Sequence, residues 1–172
     1  MATTVKRITD ANVYLDGVNF LGKAQEITLP DLKFQMAAHN ALGMFGKVEL
    51  PAGLEAMEAT VKMNGIYKEF SKLMADPFTA RTLVVYSNQE TWSGGGRTAQ
   101  EQVVLTLVGT SKSTPLGAFK QHEPVDSSGV LAITAAKLEV AGETVFDVDV
   151  LNNIFKVNGT DLLADYRANL AL

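Results

Sequence analysis

A mainly β domain with one flanking helix is the fold class this sequence predicts, and three observations carry it. The dipeptides Asp16-Gly17, Ala141-Gly142 and Asn158-Gly159 punctuate the apolar runs, and glycine in such pairs supplies the positive φ that tight hairpin turns need. Residues 101–110 alternate, with Val103, Leu105 and Leu107 opposing Gln102, Val104, Thr106 and Val108, which is the period of a strand. Helical periodicity is clear only once: Ile66, Phe70, Leu73 and Met74 fall on a single apolar stripe.

In chain order, Asn12-Val13-Tyr14-Leu15 and Val18-Asn19-Phe20-Leu21 read as the arms of a hairpin about Asp16-Gly17. A strand over residues 24–29 is ended by Pro30, since proline cannot donate to a ladder. From residue 31 to 53 the pattern weakens: Met36, Ala37, Ala38, Leu42, Met44 and Phe45 keep the stretch apolar while Gly43 and Gly46 break any helix. It reads as a strand followed by a long, partly apolar loop, either folded over its own core or covered by a partner. Residues 54–63 alternate as a strand with Met57, Ala59 and Val61 on one face. The helix starts after Asn64-Gly65, stops at Asp76-Pro77 and covers one open face of a sheet.

β character resumes over residues 78–86, and residues 87–99, with Gly94-Gly95-Gly96, read as a loop. The strand at residues 101–110 is apolar on both sides, which predicts burial on two faces. A looser region spans residues 111–129; strands at about 130–140 and 144–150 turn at Ala141-Gly142, and a short helix covers 161–169. No repeat or composition shift divides residues 1–172, which read as a single domain.

The chain of 172 residues is long enough for a sizeable core, and 47% apolar with 20% charged residues excludes disorder, collagen and a charged coiled coil. A net charge of −4 and no basic cluster denser than Lys6-Arg7 argue against a phosphate-gripping nucleic-acid binder. The absence of cysteine removes disulfides, thiol nucleophiles and thiolate metal sites. No apolar run is long enough to span a membrane, and the start, Met1 to Arg7, leads into no signal-peptide core. Folding in the cytoplasm without membrane insertion is the expectation.

Catalytic chemistry finds little support. His39 and His122 stand apart in loop-like regions, which suits surface residues better than metal ligands. Asp147 and Asp149 share a strand face and read as solvated or salt-bridged carboxylates, because no third oxygen-rich group accompanies them. Ser93 before three glycines is no nucleophile elbow, and the glycine run lacks the Gly-Lys-Ser/Thr ending of a phosphate loop. Asn158-Gly159-Thr160 fits a glycosylation sequon only by chance. No enzyme, metal or cofactor is expected. On these grounds a self-assembling β protein leads over a small-ligand barrel with the glycine loop and the His122 region at its mouth, because sheet edges need partners.

Several segments together resemble the major tail tube proteins of contractile-tailed bacteriophages and R-type pyocins. They are Asn12-Val13-Tyr14-Leu15-Asp16-Gly17, Gly22, Ile27-Thr28-Leu29-Pro30-Asp31-Leu32, Gly43-Met44 and Gly53-Leu54-Glu55-Ala56-Met57-Glu58-Ala59. Lys137-Leu138-Glu139-Val140 with Gly142 continues the pattern. The C-terminal block is the most specific: Val148-Asp149-Val150-Leu151-Asn152-Asn153-Ile154, Lys156-Val157-Asn158-Gly159-Thr160-Asp161, Leu163, Arg167 and Leu170-Ala171-Leu172. The matches run in order along nearly the whole chain.

The resemblance implies a β-sandwich-like subunit whose strands join a continuous barrel in a hexameric ring. Rings would stack into a hollow virion tail tube, assembled in the host cytoplasm, that penetrates the host envelope and conducts the genome. The implied partners are further copies of the chain, the tail sheath protein, the baseplate and tail terminator proteins, and phage DNA passing through the lumen without specific binding. It further implies that the loop at about residues 33–53 and both terminal arms touch neighbouring subunits, which makes Met36, Leu42, Gly43, Met44, Phe45 and Leu172 candidate inter-subunit contacts. Two departures stand out: His39-Asn40 replaces an aromatic–Arg pair before Gly-Met, and Ala171 stands where glycine is common. The tube of a tailocin or of a secretion machine would use the same architecture.

Overall fold

The computed structural model describes residues 3–117, 121, 125 and 127–172. All three tight turns form as their chemistry requires. Asp16 and Gly17 have φ of 48° and 78°, Ala141 and Gly142 of 52° and 83°, and Asn158 and Gly159 of 49° and 80°, the sign a type I′ turn demands at both central positions. They join β1 (Val5–Leu15) to β2 (Val18–Asn19), β9 (Ser127–Val140) to β10 (Glu143–Asp149), and β11 (Ile154–Val157) to β12 (Thr160–Asp161).

With β3 (Ala24–Thr28), β6 (Met57–Met63), β7 (Arg81–Ser93) and β8 (Gly96–Ser113), these strands make one antiparallel sheet in the order β12-β11-β10-β9-β8-β7-β1-β2. The sheet branches at β9. The first part of β9 pairs with β6, from Ser127 opposite Met63 to Ile133 opposite Met57, and β6 in turn pairs with β3. The second part pairs with β10, from Ala135 opposite Asp149 to Val140 opposite Glu143. Across from this branch point β8 shifts register between Val108 and Gly109. A Cβ on Gly109 would stand 2.2 Å from the carbonyl oxygen of Ala132, so only glycine lets the two backbones approach this closely.

One apolar cluster joins the branches: Val13, Leu15, Leu83, Val85, Leu105 and Leu107 from the long strands meet Met57, Ala59, Val61 and Met63 of β6 and Leu131 and Ile133 of β9. The helix α1 (Lys68–Met74) buries Phe70 and Met74, and Phe70 meets Phe20 edge-on at 5.7 Å. The apolar stripe read from the sequence thus covers the sheet, although Ile66 stays exposed. The seat of the helix is Gly129 on β9: a Cβ there would lie 2.8 Å from Met74 Cε and 3.0 Å from Phe70 Cζ.

Several elements differ from the sequence reading. Residues 33–53 are not a strand and a loop but a two-stranded hairpin, β4 (Phe34–His39) and β5 (Val48–Leu54), separate from the main sheet. Residues 87–99 are no loop: β7 and β8 run through them to a turn at Gly94-Gly95, pairing as far as Ser93 opposite Gly96. The N-terminal arm is the outer part of β1, paired with β7 from Val5 opposite Trp92. On β8, Val103, Leu105 and Leu107 are buried while Val104, Thr106 and Val108 are only half-buried, so one face alone is core. The short strands β11 and β12 went unread beside their turn, and the last helix, α2 (Ala164–Asn169), starts after them. The fold class itself is as read, mainly β with a flanking helix, and within the subunit the sheet stays open.

Gly129→Leu is expected to dislodge α1 and lower the thermal unfolding midpoint by several degrees, following a loss of about 1–3 kcal/mol for overpacking. Circular dichroism checks this against Gly94→Ala at the open turn, where nothing lies within 4 Å of the added Cβ and the change stays within about 0.5 kcal/mol.

Candidate assembly surface

The hairpin β4–β5 stands out from the body. Every residue of both strands is exposed except Leu54, which is half-buried. Its sequence alternates little and carries Pro51 and Gly53, with Gly53 at φ +145° and a register irregularity between Gln35 and Met36, which is why a strand signal was hard to see. Met36 lies on β4, while Leu42, Gly43, Met44 and Phe45 form the tip, where Met44 N–H closes a turn on Ala41 O at 3.2 Å. Leu42 and Phe45 are 105% and 111% exposed, as far from cover as side chains can be. Leu172, the last site residue expected from the sequence, is exposed at the far C-terminus and lies outside this tip.

The root of the hairpin is fastened to the body. Glu55 N–H bonds Lys33 O at 2.8 Å, and the Phe34 ring lies 5.7 Å from that of Phe155 on β11. Between root and body opens an apolar cavity of about 470 Å³, walled by Phe34, Leu54, Val148, Phe155, Leu163 and Tyr166 among others. Sequence reasoning missed it because its walls come from the hairpin and from residues 148–166, two stretches far apart in the chain.

A C-terminal lock forms the outer wall. The guanidinium of Arg167 donates to Asp161 Oδ2 at 2.6 Å and to Asn153 O at 2.7 Å. The bond from Arg167 holds the Asp161 carboxyl below its ordinary range, and the same bond raises Arg167. α2 then ends in a glycine-type cap: Leu172 N–H reaches Arg167 O at 3.0 Å and Ala171 N–H reaches Ala168 O at 3.2 Å. Ala171 holds φ of 55°, the left-handed position that favours glycine, so the departure noted in the sequence carries strain.

At the opposite end β1, β7 and β8 run on beyond the core, and polar pins replace apolar packing. Glu90, only 6% exposed, accepts from Arg97 Nη1 at 2.7 Å, Trp92 Nε1 at 2.9 Å and Arg7 Nη2 at 3.4 Å. Arg7 also stacks over the Trp92 ring at 5.4 Å. Hydrogen bonds from Arg97 and Trp92 lower the Glu90 carboxyl despite its burial. On the other face Glu101 is lowered by Lys6, bonded at 2.7 Å. Arg7, Glu90 and Gln100 are cross-strand neighbours, a relation visible only once the register is known.

Catalytic groupings do not assemble. Asp149 caps a turn, accepting from Asn152 N–H at 3.0 Å and Asn152 Nδ2 at 2.6 Å, while Asp147 faces Lys137 and Lys156 across the ladder. Among the described residues no cluster of three His, Cys, Asp or Glu side chains suits a metal. His39 ends β4 on the exposed hairpin, and His122 lies outside the described residues. Among the described residues no helix is long and apolar enough to cross a membrane.

Comparison with known proteins agrees with this picture of an assembly subunit. The family model for the phage tail tube protein FII matches residues 5–170. The chain is similar to the tail tube protein of Escherichia phage P2, 29% identical over 168 residues that cover 94% of each chain. It is also similar to the major tail tube protein of Serratia phage KSP20, 28% identical over 162 residues covering 93% of this chain and 92% of that one.

The Glu90 pins predict an acid-sensitive outer hairpin. A carboxyl lowered in the folded state stabilises above its unfolded value of about 4.3, and that stability fades as pH falls through this value toward the folded one. Glu90→Gln is expected to be less stable at neutral pH and to lose less stability on acidification. Urea unfolding at neutral and acidic pH checks it; equal losses for both proteins would contradict the pinned carboxylate.

Proposed function

The chain belongs to the phage tail tube protein FII family, and from that premise we propose that its copies close into hexameric rings, stack into a hollow tube, and conduct the genome through the host envelope. It is a structural subunit of a phage tail and not an enzyme. The subunit assembles in the host cytoplasm and meets sheath, baseplate and terminator proteins there.

Ring closure is supported by one observation above all, the free edge of the sheet. β2 covers only Tyr14 and Leu15, so the outer stretch of β1, up to residue 11, has no strand on its far side among the described residues. Val5 and Ile8 stand 60% and 58% exposed on it. A strand edge of this length with unpaired backbone N–H and C=O groups is a pairing template, and closed symmetry satisfies it without leaving another.

Passage of DNA is supported by the half-exposed face of the sheet, which we assign to the lumen. Its basic residues alternate with acidic ones across the ladder: Lys137 faces Asp147, Asp147 faces Lys156, and Lys156 faces Asp161. Lys137 also donates to Glu139 at 2.9 Å. Each ammonium thus has a carboxylate beside it, and a wall so balanced grips a phosphate backbone weakly. The small-ligand barrel loses its basis, since the sheet is open and Gly94–Gly96 form a hairpin turn rather than a mouth.

Negative-stain electron microscopy with light scattering tests the assembly: hollow tubes or six-fold rings are expected, and a monomer at every concentration, with and without tail baseplates as seeds, would overturn it. Asp147→Lys is expected to leave tubes intact but make them retain DNA at low salt and release it as salt rises. Retention unchanged from the parent protein would remove this face from the lumen.

A further inference from the structure

We infer that Met36 and Met44 are the sites at which peroxide oxidises the free subunit, and that their sulfoxides hold it out of the tube. The second half rests on the tube reading above, whereas the first stands on the subunit alone.

The fold sorts the methionines by access. The chain has six, of which Met1 lies outside the described residues. Three of the other five are sealed in the core, Met57 and Met63 on β6 and Met74 on α1, none more than 2% exposed. Met36 and Met44 are 47% and 40% exposed, and both lie on the β4–β5 hairpin, one on a strand and one at the tip. Thioether oxidation follows exposure, so these two react and the three in the core are protected. With no cysteine in the chain, no thiol competes for the oxidant.

The step needs a peroxide and nothing else. A lone pair on the thioether Sδ attacks one peroxide oxygen, the O–O bond breaks and an S–O bond forms. The proton of the attacked oxygen passes to the departing hydroxyl, which leaves as water. Sulfur is oxidised by two electrons and the peroxide is reduced by the same two.

Placement decides the consequence. Neither Met36 nor Met44 belongs to the apolar cluster of the body, so a sulfoxide at either leaves the fold intact. Around them the hairpin presents Leu42, Phe45, Val48 and Leu50, all exposed. A sulfoxide turns an apolar side chain into a polar one, and burying its oxygen among apolar groups without a donor is costly. A lesion that the isolated subunit tolerates therefore penalises covering the hairpin. Oxidation of Met57, Met63 or Met74 has the opposite signature, because it disrupts the core itself. The block is reversible, since methionine sulfoxide is reducible enzymatically.

Peptide mass mapping of the folded, unassembled subunit after brief hydrogen peroxide treatment tests the sites. One added oxygen at Met36 and one at Met44 are expected, with Met57, Met63 and Met74 unchanged until urea unfolds the chain. Oxygen spread evenly over the five would overturn the assignment. The treated subunit, folded by circular dichroism, is then seeded and scored for tubes by negative-stain electron microscopy. Loss of tubes is expected, and their return once methionine sulfoxide reductases A and B have acted with a thiol reductant. The variant carrying both Met36→Leu and Met44→Leu, a swap that keeps volume and apolarity, is expected to form tubes before and after peroxide. Tubes from the treated parent protein, or a peroxide-induced loss of tubes in the double variant, would overturn the block. Should the double variant fail to assemble untreated, the reductases decide: a loss in the parent that they do not reverse would overturn the block. Failure of the untreated parent to form tubes under any seeding would overturn the tube reading and the block with it, while the mass map still decides the sites.

Discussion

The molecule depends on one close approach of backbone to backbone, at Gly109 of β8 against Ala132 of β9. A strand has only two edges, yet β9 serves three partners: β8 along one edge, and β6 then β10 along the other. Between its two parts β9 carries an extra residue, Thr134, as the register steps from Val108 opposite Ala135 to Gly109 opposite Ile133. There the carbonyl of Ala132 comes to where any side chain on residue 109 would stand. From this step β6 and β3 carry Met57, Ala59, Val61 and Met63 into the core, while β10 and β11 continue the sheet toward the C-terminal lock.

Stability is distributed unevenly around that junction. Near it, burial is nearly complete and the interactions are apolar. Away from it, the outer parts of β1, β7 and β8 are held by charge-assisted hydrogen bonds at Glu90 and Glu101, and the C-terminus by Arg167 on Asp161. Such bonds are directional, and the Glu90 set is the stronger because its carboxylate is buried and shared by several donors. Directional pins keep projecting strands in register where no core exists to do so, and a sheet edge offered to a neighbour has to hold its register to pair at all.

What could be read in the sequence was what local chemistry decides. The Asp-Gly, Ala-Gly and Asn-Gly turns, the alternation on β6, β8 and β9, and the Phe70–Met74 face of the helix each depend on residues within a few positions of one another. What could not be read depends on register. Residues 87–99 carry no apolar alternation because their pairing is secured by Glu90 and Glu101 with partners from β1 and across the turn. The β4–β5 hairpin was obscured by Gly43, Gly46, Pro51 and Gly53 and by having no buried face, so the periodicity that marks a strand was never written into it. The cavity at its root required two stretches far apart in the chain, the hairpin and residues 148–166, to meet. The ordered C-terminal motifs, by contrast, pointed to the family without any of this geometry.

The uneven distribution also explains how a subunit can be stable alone and yet made to polymerise. A chain that buried all its apolar surface would have no reason to associate, and one that exposed it on the core sheet would aggregate without order. Here the tip of a slender hairpin, with Leu42 and Phe45, is among the most exposed apolar places on the molecule, and Val5 and Ile8 on the outer part of β1 are uncovered too. Losing cover at those places costs the isolated subunit little, because, of these elements, only Leu54, at the root of the hairpin, packs against the central cluster. The junction and its core thus carry the fold, and the projecting elements stand outside them.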